Sequence, residues 1–248
     1  MEILPKSWFP ILVCDDCFGV NKNHAIKVSL PLLKATGRPW VTEITLKALC
    51  GEDGLSGLLE QMVASGCVGV YIGIESLDRP VSAKSLSREI TEKAIKRIHA
   101  AGLLILGSFI LDVTGKETPE SIKETIKWAI TQLDFVQLSL LALLPGSALR
   151  KIALKNGKVI DDNPDHLDGA WPTIAHQISP EQRIQLLHER YREFYSYPNI
   201  ARRLWRAGGN WSHFIMTLVG NLQIHYSVGN WASQDYQHWL ATRQLPPT

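Results

Sequence analysis

Apolar runs recur along the chain at a regular interval, over Ile11–Asp16, Trp40–Leu46, Val68–Ser76, Leu103–Asp112 and Phe135–Leu144. The third, VGVYIGIES, is typical: β-branched and aromatic residues without polar alternation, ending in Glu75 and Ser76. Runs of this kind predict strands buried on both faces, as in a parallel sheet. The intervening stretches carry apolar residues at helical spacing. Asn23–Lys34 is one, limited or kinked by Pro31. Leu55–Ser65 presents Leu55, Leu58, Leu59 and Met62 on one face and closes at Gly66. Ser87–Ala101 turns Ile90, Ala94, Ile95 and Ile98 inward and stops at Gly102. Thr118 caps a further helix with Pro119 in its first position and Ile122, Ile126, Ala129 and Ile130 on its inner face.

Successive runs begin 29, 28, 35 and 32 residues apart. That is the length of a strand–helix unit, whereas hairpins would return sooner. Residues 1–157 are therefore expected to form an α/β fold, a partial (β/α) barrel of about five parallel strand–helix units. Five units are too few to close the eight-stranded barrel. Residues 158–178, rich in Asn, Asp, Gly and Pro, are expected to be a linker or loop. Residues 179–248 read as a helical C-terminal extension. Ser179-Pro180-Glu181 starts a helix running to about Tyr195, with Ile184, Leu187, His188, Tyr191 and Tyr195 on one stripe. More helical pattern follows around 200–206 and 212–226. The arginines between 183 and 206, mixed with glutamates, are expected to form a solvated helix face. Trp205, Trp211, Trp231 and Trp239 are expected to pack the extension onto the barrel.

Composition narrows the function. The chain has 248 residues, 45% hydrophobic and 20% charged, with a net charge of +2. That charge is too small to argue for a nucleic-acid or anionic-membrane partner, and no nucleic acid is expected. No apolar run is long enough for a spanning helix, and MEILPKSWFP lacks a signal-peptide layout. Four cysteines, at 14, 17, 50 and 67, do not make a secreted disulfide framework, so the cytoplasm is the expected compartment.

Polar groups close each strand: Asp15 and Asp16, Glu43 and Thr45, Glu75 and Ser76, and Asp112, with Gln137 and Ser139 further back on the fifth. In a parallel barrel these ends meet at one mouth. So many carboxylates would repel one another unless they held a cation, an amino group or sugar hydroxyls. Glu75 alone could equally be an ordinary strand end facing water. Cys14-x-x-Cys17 reads as packing, redox chemistry or half of a metal site. Cys67, at the far end of its strand, argues against joint ligation, so no metal site is assigned. His24, His99 and His166 are scattered and complete no nucleophilic triad. No dinucleotide or triphosphate glycine motif occurs.

Read together, these strand ends resemble the radical S-adenosylmethionine (SAM) superfamily, in particular members with an upstream cobalamin-binding domain. Asp15-Asp16-Cys17-Phe18 with Asn21 resembles the family's Asp-Asp-x-Phe-x-x-Asn stretch. Gly73-Ile74-Glu75-Ser76 resembles its Gly-x-Glu-Ser strand end. Leu106-Gly107-Ser108-Phe109-Ile110 with Asp112 resembles its Gly-x-Phe-x-x-Gly-x-Asp run, and Pro145-Gly146-Ser147 with Leu149 its Pro-Gly-Thr-x-Leu turn. The likeness covers roughly residues 8–157, and the helical extension also resembles that subgroup.

The resemblance implies that Asp15 and Asp16 meet the amino group of SAM and that Glu75 and Ser76 meet its ribose. Ser108 and Asp112 would line the same pocket, to which the convergence of strand ends adds Glu43. The family's Cys-x-x-x-Cys-x-x-Cys loop, which holds a [4Fe–4S] cluster, is absent from this sequence. The expectation is therefore the C-terminal, SAM-pocket portion of a radical SAM enzyme, from a truncated or split gene. A partner chain would supply the cluster loop, and this chain alone would bind neither [4Fe–4S] nor cobalamin. Substrate and reaction type are not legible. The other reading is a non-catalytic half-barrel that binds a small cationic or sugar-bearing ligand.

Overall fold

The structure, a computed structural model, describes residues 10–15, 17–54, 57–77, 86–207, 211–229 and 236–246. Its sheet has five strands, β1 (Ile11–Val13), β2 (Trp40–Glu43), β3 (Cys67–Glu75), β4 (Leu104–Leu111) and β5 (Phe135–Leu140), in the order β1-β2-β3-β4-β5. The strands are parallel and alternate with helices, as in a partial barrel. The register places Val13 opposite Thr42 and Glu43 opposite Tyr71. The chain divides into two compact units, Met1–Ser108 with Gln132–Gln137, and Phe109–Thr131 with Leu138–Thr248.

In the first unit the stretch expected as one helix at 23–34 is α1 (Lys22–His24), a π turn over Ala25–Ser29, and α2 (Leu30–Ala35). Pro31 has no N–H to donate back one turn, and the widened turn lies immediately before it. The second strand stops at Glu43, short of the expected Leu46. Thr45 leaves the sheet as the N-cap of α3 (Leu46–Cys50), its side chain accepting from the Ala48 N–H at 3.2 Å. It therefore serves a helix end. Next come α4 (Leu59–Ala64) and α5 (Arg88–Ala100). Leu58, Leu59 and Met62, and Ala94, Ile95 and Ile98, are buried as their spacing predicts, while Leu55 lies outside the described residues. With Leu46, Leu49, Ile72 and Ile74 they form the core, each large apolar side chain contributing about 2 kcal/mol by burial. Trp40 is fully buried, donates from Nε1 to Ser65 O at 3.0 Å and lies 5.5 Å from the ring of Phe18.

In the second unit α6 (Pro119–Gln132) buries Ile122, Ile126, Ala129 and Ile130. Its start is a reciprocal cap between Thr118 and Ser121, N–H to side-chain oxygen in both directions at 3.1 and 3.2 Å. After β5 come α7 (Ala148–Lys155), a 3-10 turn at Pro164–His166, α8 (Pro180–Phe194), α9 (Tyr197–Ala207), α10 (Trp211–Gly229) and α11 (Tyr236–Thr242). β5 ends at Leu140, because from Leu141 the backbone turns to Thr173, whose hydroxyl donates to Leu141 O and accepts from Leu143 N. The end of its ladder is completed from outside the sheet. The Tyr191 hydroxyl both accepts from Leu138 N (2.8 Å) and donates to Leu138 O (3.0 Å). Leu140 N donates to Gly169 O at 2.6 Å. Residues 158–178, expected as linker or loop, bury Val159, Asp161, Trp171, Thr173 and Ile174, with an antiparallel bridge between Val159 and Ile174.

Two expectations need correction here. Arg183 and Arg203 do not belong to a solvated face: they are 2% and 1% exposed. Arg183 donates to Ile174 O at 2.6 Å, and Arg203 lies 4.2 Å from the Phe194 ring centre and donates to Asn221. Nor do all the tryptophans pack. Trp239 is buried, but Trp205 and Trp211 are 90% and 72% exposed, and Trp231 lies outside the described residues.

Candidate functional site

In the first unit β1, β2 and β3 run parallel, so Asp15, Glu43 and Glu75 all follow strand ends on the same side. β3 alternates, with Ile72 and Ile74 buried and Tyr71, Gly73 and Glu75 on the more open face. Glu75 has φ 65, the left-handed region. There the chain turns back sharply, and Ser76 N donates to Ile74 O at 2.8 Å. The carboxylate folds against the strand: a Cβ at Gly73 would sit 2.7 Å from Glu75 Oε1. Gly73 is thus what lets the carboxylate lie flat on the sheet.

Behind it on the same face is Tyr71. Burial pushes its phenol up from the ordinary tyrosine range. A hydrogen bond with Ser108 opposes that rise, and the carboxylates of Glu43 and Glu75 add to it. Tyr71 therefore ties Glu43, Glu75 and Ser108 into one cluster. No strand-end motif pointed to it; only its place two residues before Gly73 on the open face could have. The cluster combines carboxylate acceptors with a protonated phenol and a buried serine. It can hold hydroxyls in pairs or an ammonium group.

The Asp15 loop lies beside the end of β2, because Phe18 N donates to Glu43 O at 2.9 Å. Phe18 is core and Asn21 caps α1, accepting from His24 N at 3.0 Å. Asp15 accepts from Cys17 N at 3.1 Å and lines a cavity of ≈370 Å³ with Cys17, Asn21 and His24. Asp16 lies outside the described residues. Ser76 lines a separate narrow cleft with Leu46, Arg88 and Thr91.

Asp112 belongs to the second unit. It is fully buried, with φ 55, and its Oδ2 lies 3.0 Å from His176 Nδ1. His176 was not among the histidines singled out from sequence, because its partner lies 64 residues away. Gln137 is exposed, and Ser139 donates to Phe109 O at 3.3 Å. His99 and His166 are partners of Asp134 and Asp161.

The donors do not fit a [4Fe–4S] cluster. Cys50 and Cys67 are buried, and burial pushes their thiols up to about 11 and about 12, away from the thiolate that iron needs. Cys14 and Cys17 supply only two thiols. Among the described residues no three His, Cys, Asp or Glu side chains are placed to hold a metal ion, and no helix is long and apolar enough to cross a membrane.

No protein-family model matches the chain. It is 28% identical over 193 residues to the uncharacterized methyltransferase PH0819 of Pyrococcus horikoshii, covering 75% of this chain and 40% of that protein. It is 24% identical over 172 residues to a polyribonucleotide nucleotidyltransferase of Sulfurihydrogenibium, covering 68% and 22%. A solved structure of TsrM from Kitasatospora setae, a radical SAM methyltransferase with cobalamin and a [4Fe–4S] cluster bound, superposes with a TM-score of 0.47. The identity is 18%, over 62% of this chain and 32% of that one. The chain thus spans less than half the length of each of these three proteins.

Proposed function

We propose that this chain is the SAM-pocket portion of a radical SAM methyltransferase-type enzyme, completed by a segment or partner that carries the cluster. The observation that carries this reading is the Glu43–Tyr71–Glu75–Ser108 cluster on the open face of the parallel strands. It fits a nucleoside. A carboxylate at a strand end can accept from both ribose hydroxyls, and the Glu75 backbone is held in a strained conformation that aims it there. Tyr71, hydrogen-bonded to Ser108, lies close to both carboxylates, and Asp15 on its loop would meet the ammonium of the methionine moiety. SAM, when bound, supplies an activated methyl group. The relationship to the Pyrococcus methyltransferase supports the same reading. The [4Fe–4S] cluster does not fit the donors here, and no step is assigned to it. Cobalamin is assigned no residues.

Calorimetric titration of the purified chain with S-adenosylhomocysteine tests the proposal. We expect saturable binding, weakened about tenfold in Glu75→Gln, the order of one charge-assisted hydrogen bond, and competed by adenosine. Absence of binding, or equal binding by Glu75→Gln, overturns it. Binding of spermidine or ribose in its place would indicate the non-catalytic half-barrel.

A further inference from the structure

A cavity of ≈500 Å³ lies wholly within the second unit, between the loop after β4, helix α7 and residues 174–177. Its walls differ in character. α7 contributes Leu149 and Ile152, 41% and 58% exposed, which line a concave surface. The other walls carry His176, Lys116 and Lys158.

His176 is held rigidly. Its side chain is 8% exposed, and its Nδ1 faces Asp112 Oδ2 at 3.0 Å. A Cβ on Gly115 would lie 2.7 Å from its Cδ2, so the loop backbone is pressed on the ring. That loop is itself wrapped on Asp112, whose N–H donates to Glu117 Oε2 at 2.9 Å and whose carbonyl accepts from Gly115 N at 3.1 Å. Buried Arg183 supplies a positive charge opposite the Asp112 carboxylate. With Nδ1–H given to Asp112, Nε2 is the acceptor.

A second buried Asp–His pair in the same unit shows what a purely structural pair looks like. In Asp161–His166 every polar atom is used. Asp161 Oδ2 meets His166 Nδ1 at 2.5 Å and Trp239 Nε1 at 2.8 Å, Oδ1 accepts from Asn163 N and Gln244 N, and His166 Nε2 meets Thr242 Oγ1 at 3.2 Å. In Asp112–His176, among the described residues, Asp112 Oδ1 is buried without a partner and His176 Nε2 makes no hydrogen bond. The pair thus keeps two unpartnered polar atoms, and its histidine lines the cavity. Asp112 itself has a left-handed backbone.

We propose that this cavity is a second ligand site, for a small molecule with an apolar body, an anionic group and an O–H or N–H donor. The anion sits with Lys116 and Lys158, the donor meets His176 Nε2, and the body covers Leu149 and Ile152. The site does not depend on SAM binding in the first unit.

Calorimetry with 4-hydroxyphenylacetate, phenylacetate and tyramine tests this on the full chain. The first should bind at one site, phenylacetate about five- to tenfold more weakly for want of the hydroxyl donor, and tyramine not at all. His176→Ala should abolish the preference for the hydroxylated acid. Lys116→Ala and Lys158→Ala, which alter exposed residues, should weaken both acids alike. No binding of 4-hydroxyphenylacetate, equal binding of tyramine, or a preference that persists in His176→Ala overturns the proposal. Should His176→Ala fail to fold, histidine-labelled wild-type chain gives the answer by NMR. The His176 Nε2 resonance must move on adding 4-hydroxyphenylacetate, and a stationary resonance overturns the assignment.

Discussion

At the scale of single residues, backbone conformation and burial make separable predictions. Gly37 and Gly57 both have positive φ, +63 and +114. A Cβ at Gly37 meets nothing within 4 Å, whereas one at Gly57 would lie 2.3 Å from Leu49 O. Gly37→Ala should therefore cost only left-handed strain, about 1 kcal/mol. Gly57→Ala should cost at least about 3 kcal/mol, because main chain must move. Thermal melts of the two variants check the order. The buried thiols give a pH dependence. Cys67 is pushed up to about 12 and Cys50 to about 11 by burial. Above the ordinary thiol value of 9.0 the unfolded chain loses these protons while the folded one keeps them. Their contribution is thus fully present below that value and is lost as pH rises through the folded values. Urea midpoints should fall with increasing pH above 9, less steeply in Cys67→Ala. Near neutral pH iodoacetamide should label exposed Cys14 and reach Cys50 and Cys67 only in denaturant; native labelling of Cys67 contradicts the assignment. What the sequence could tell at this scale was residue type. The motif residues Glu75 and Gly73 were legible; Tyr71 was not, because alternation does not say which face of a strand is left open.

Elements were legible where one periodicity ran unbroken. The inner faces of α5 and α6 match their spacing residue for residue, apart from Ile90, which is half-buried. The errors fall where one side chain stops an element. Thr45 caps a helix inside a run that reads as strand, and Thr173 takes the backbone groups of Leu141 and Leu143. Both are long-range or geometric decisions that a local pattern does not carry. The β5 edge gives a prediction at this scale. Tyr191→Phe keeps the ring, which lies 6.2 Å from Tyr195, but removes the hydroxyl that satisfies both backbone groups of buried Leu138. Two unsatisfied groups should cost about 2–4 kcal/mol, more than an ordinary tyrosine hydroxyl. Urea denaturation of the variant measures it, and a loss below about 1 kcal/mol would mean that the edge is satisfied otherwise.

At the scale of the whole molecule the donor set decides the expected activity. With two thiols buried and raised, and two on the Asp15 loop, the chain alone should form no [4Fe–4S] cluster. Anaerobic reconstitution with iron and sulfide, followed by dithionite and SAM, should yield no 5′-deoxyadenosine. About four irons per chain together with that product would refute this. Among the described residues β1 ends the sheet order, with Leu12 66% exposed.

The sequence by itself determined the repeat of strand and helix, the parallel order of the sheet and the acidic strand ends. These follow from local periodicity and from connection length, which each stretch of chain carries alone. Only the tertiary structure decided that Arg183 and Arg203 are buried, that Tyr71 gathers two glutamates and a serine, and that His176 stands on Asp112. Those pairings join residues up to 64 apart. Their energies arise from desolvation and from shared protons, neither of which exists until the chain is packed.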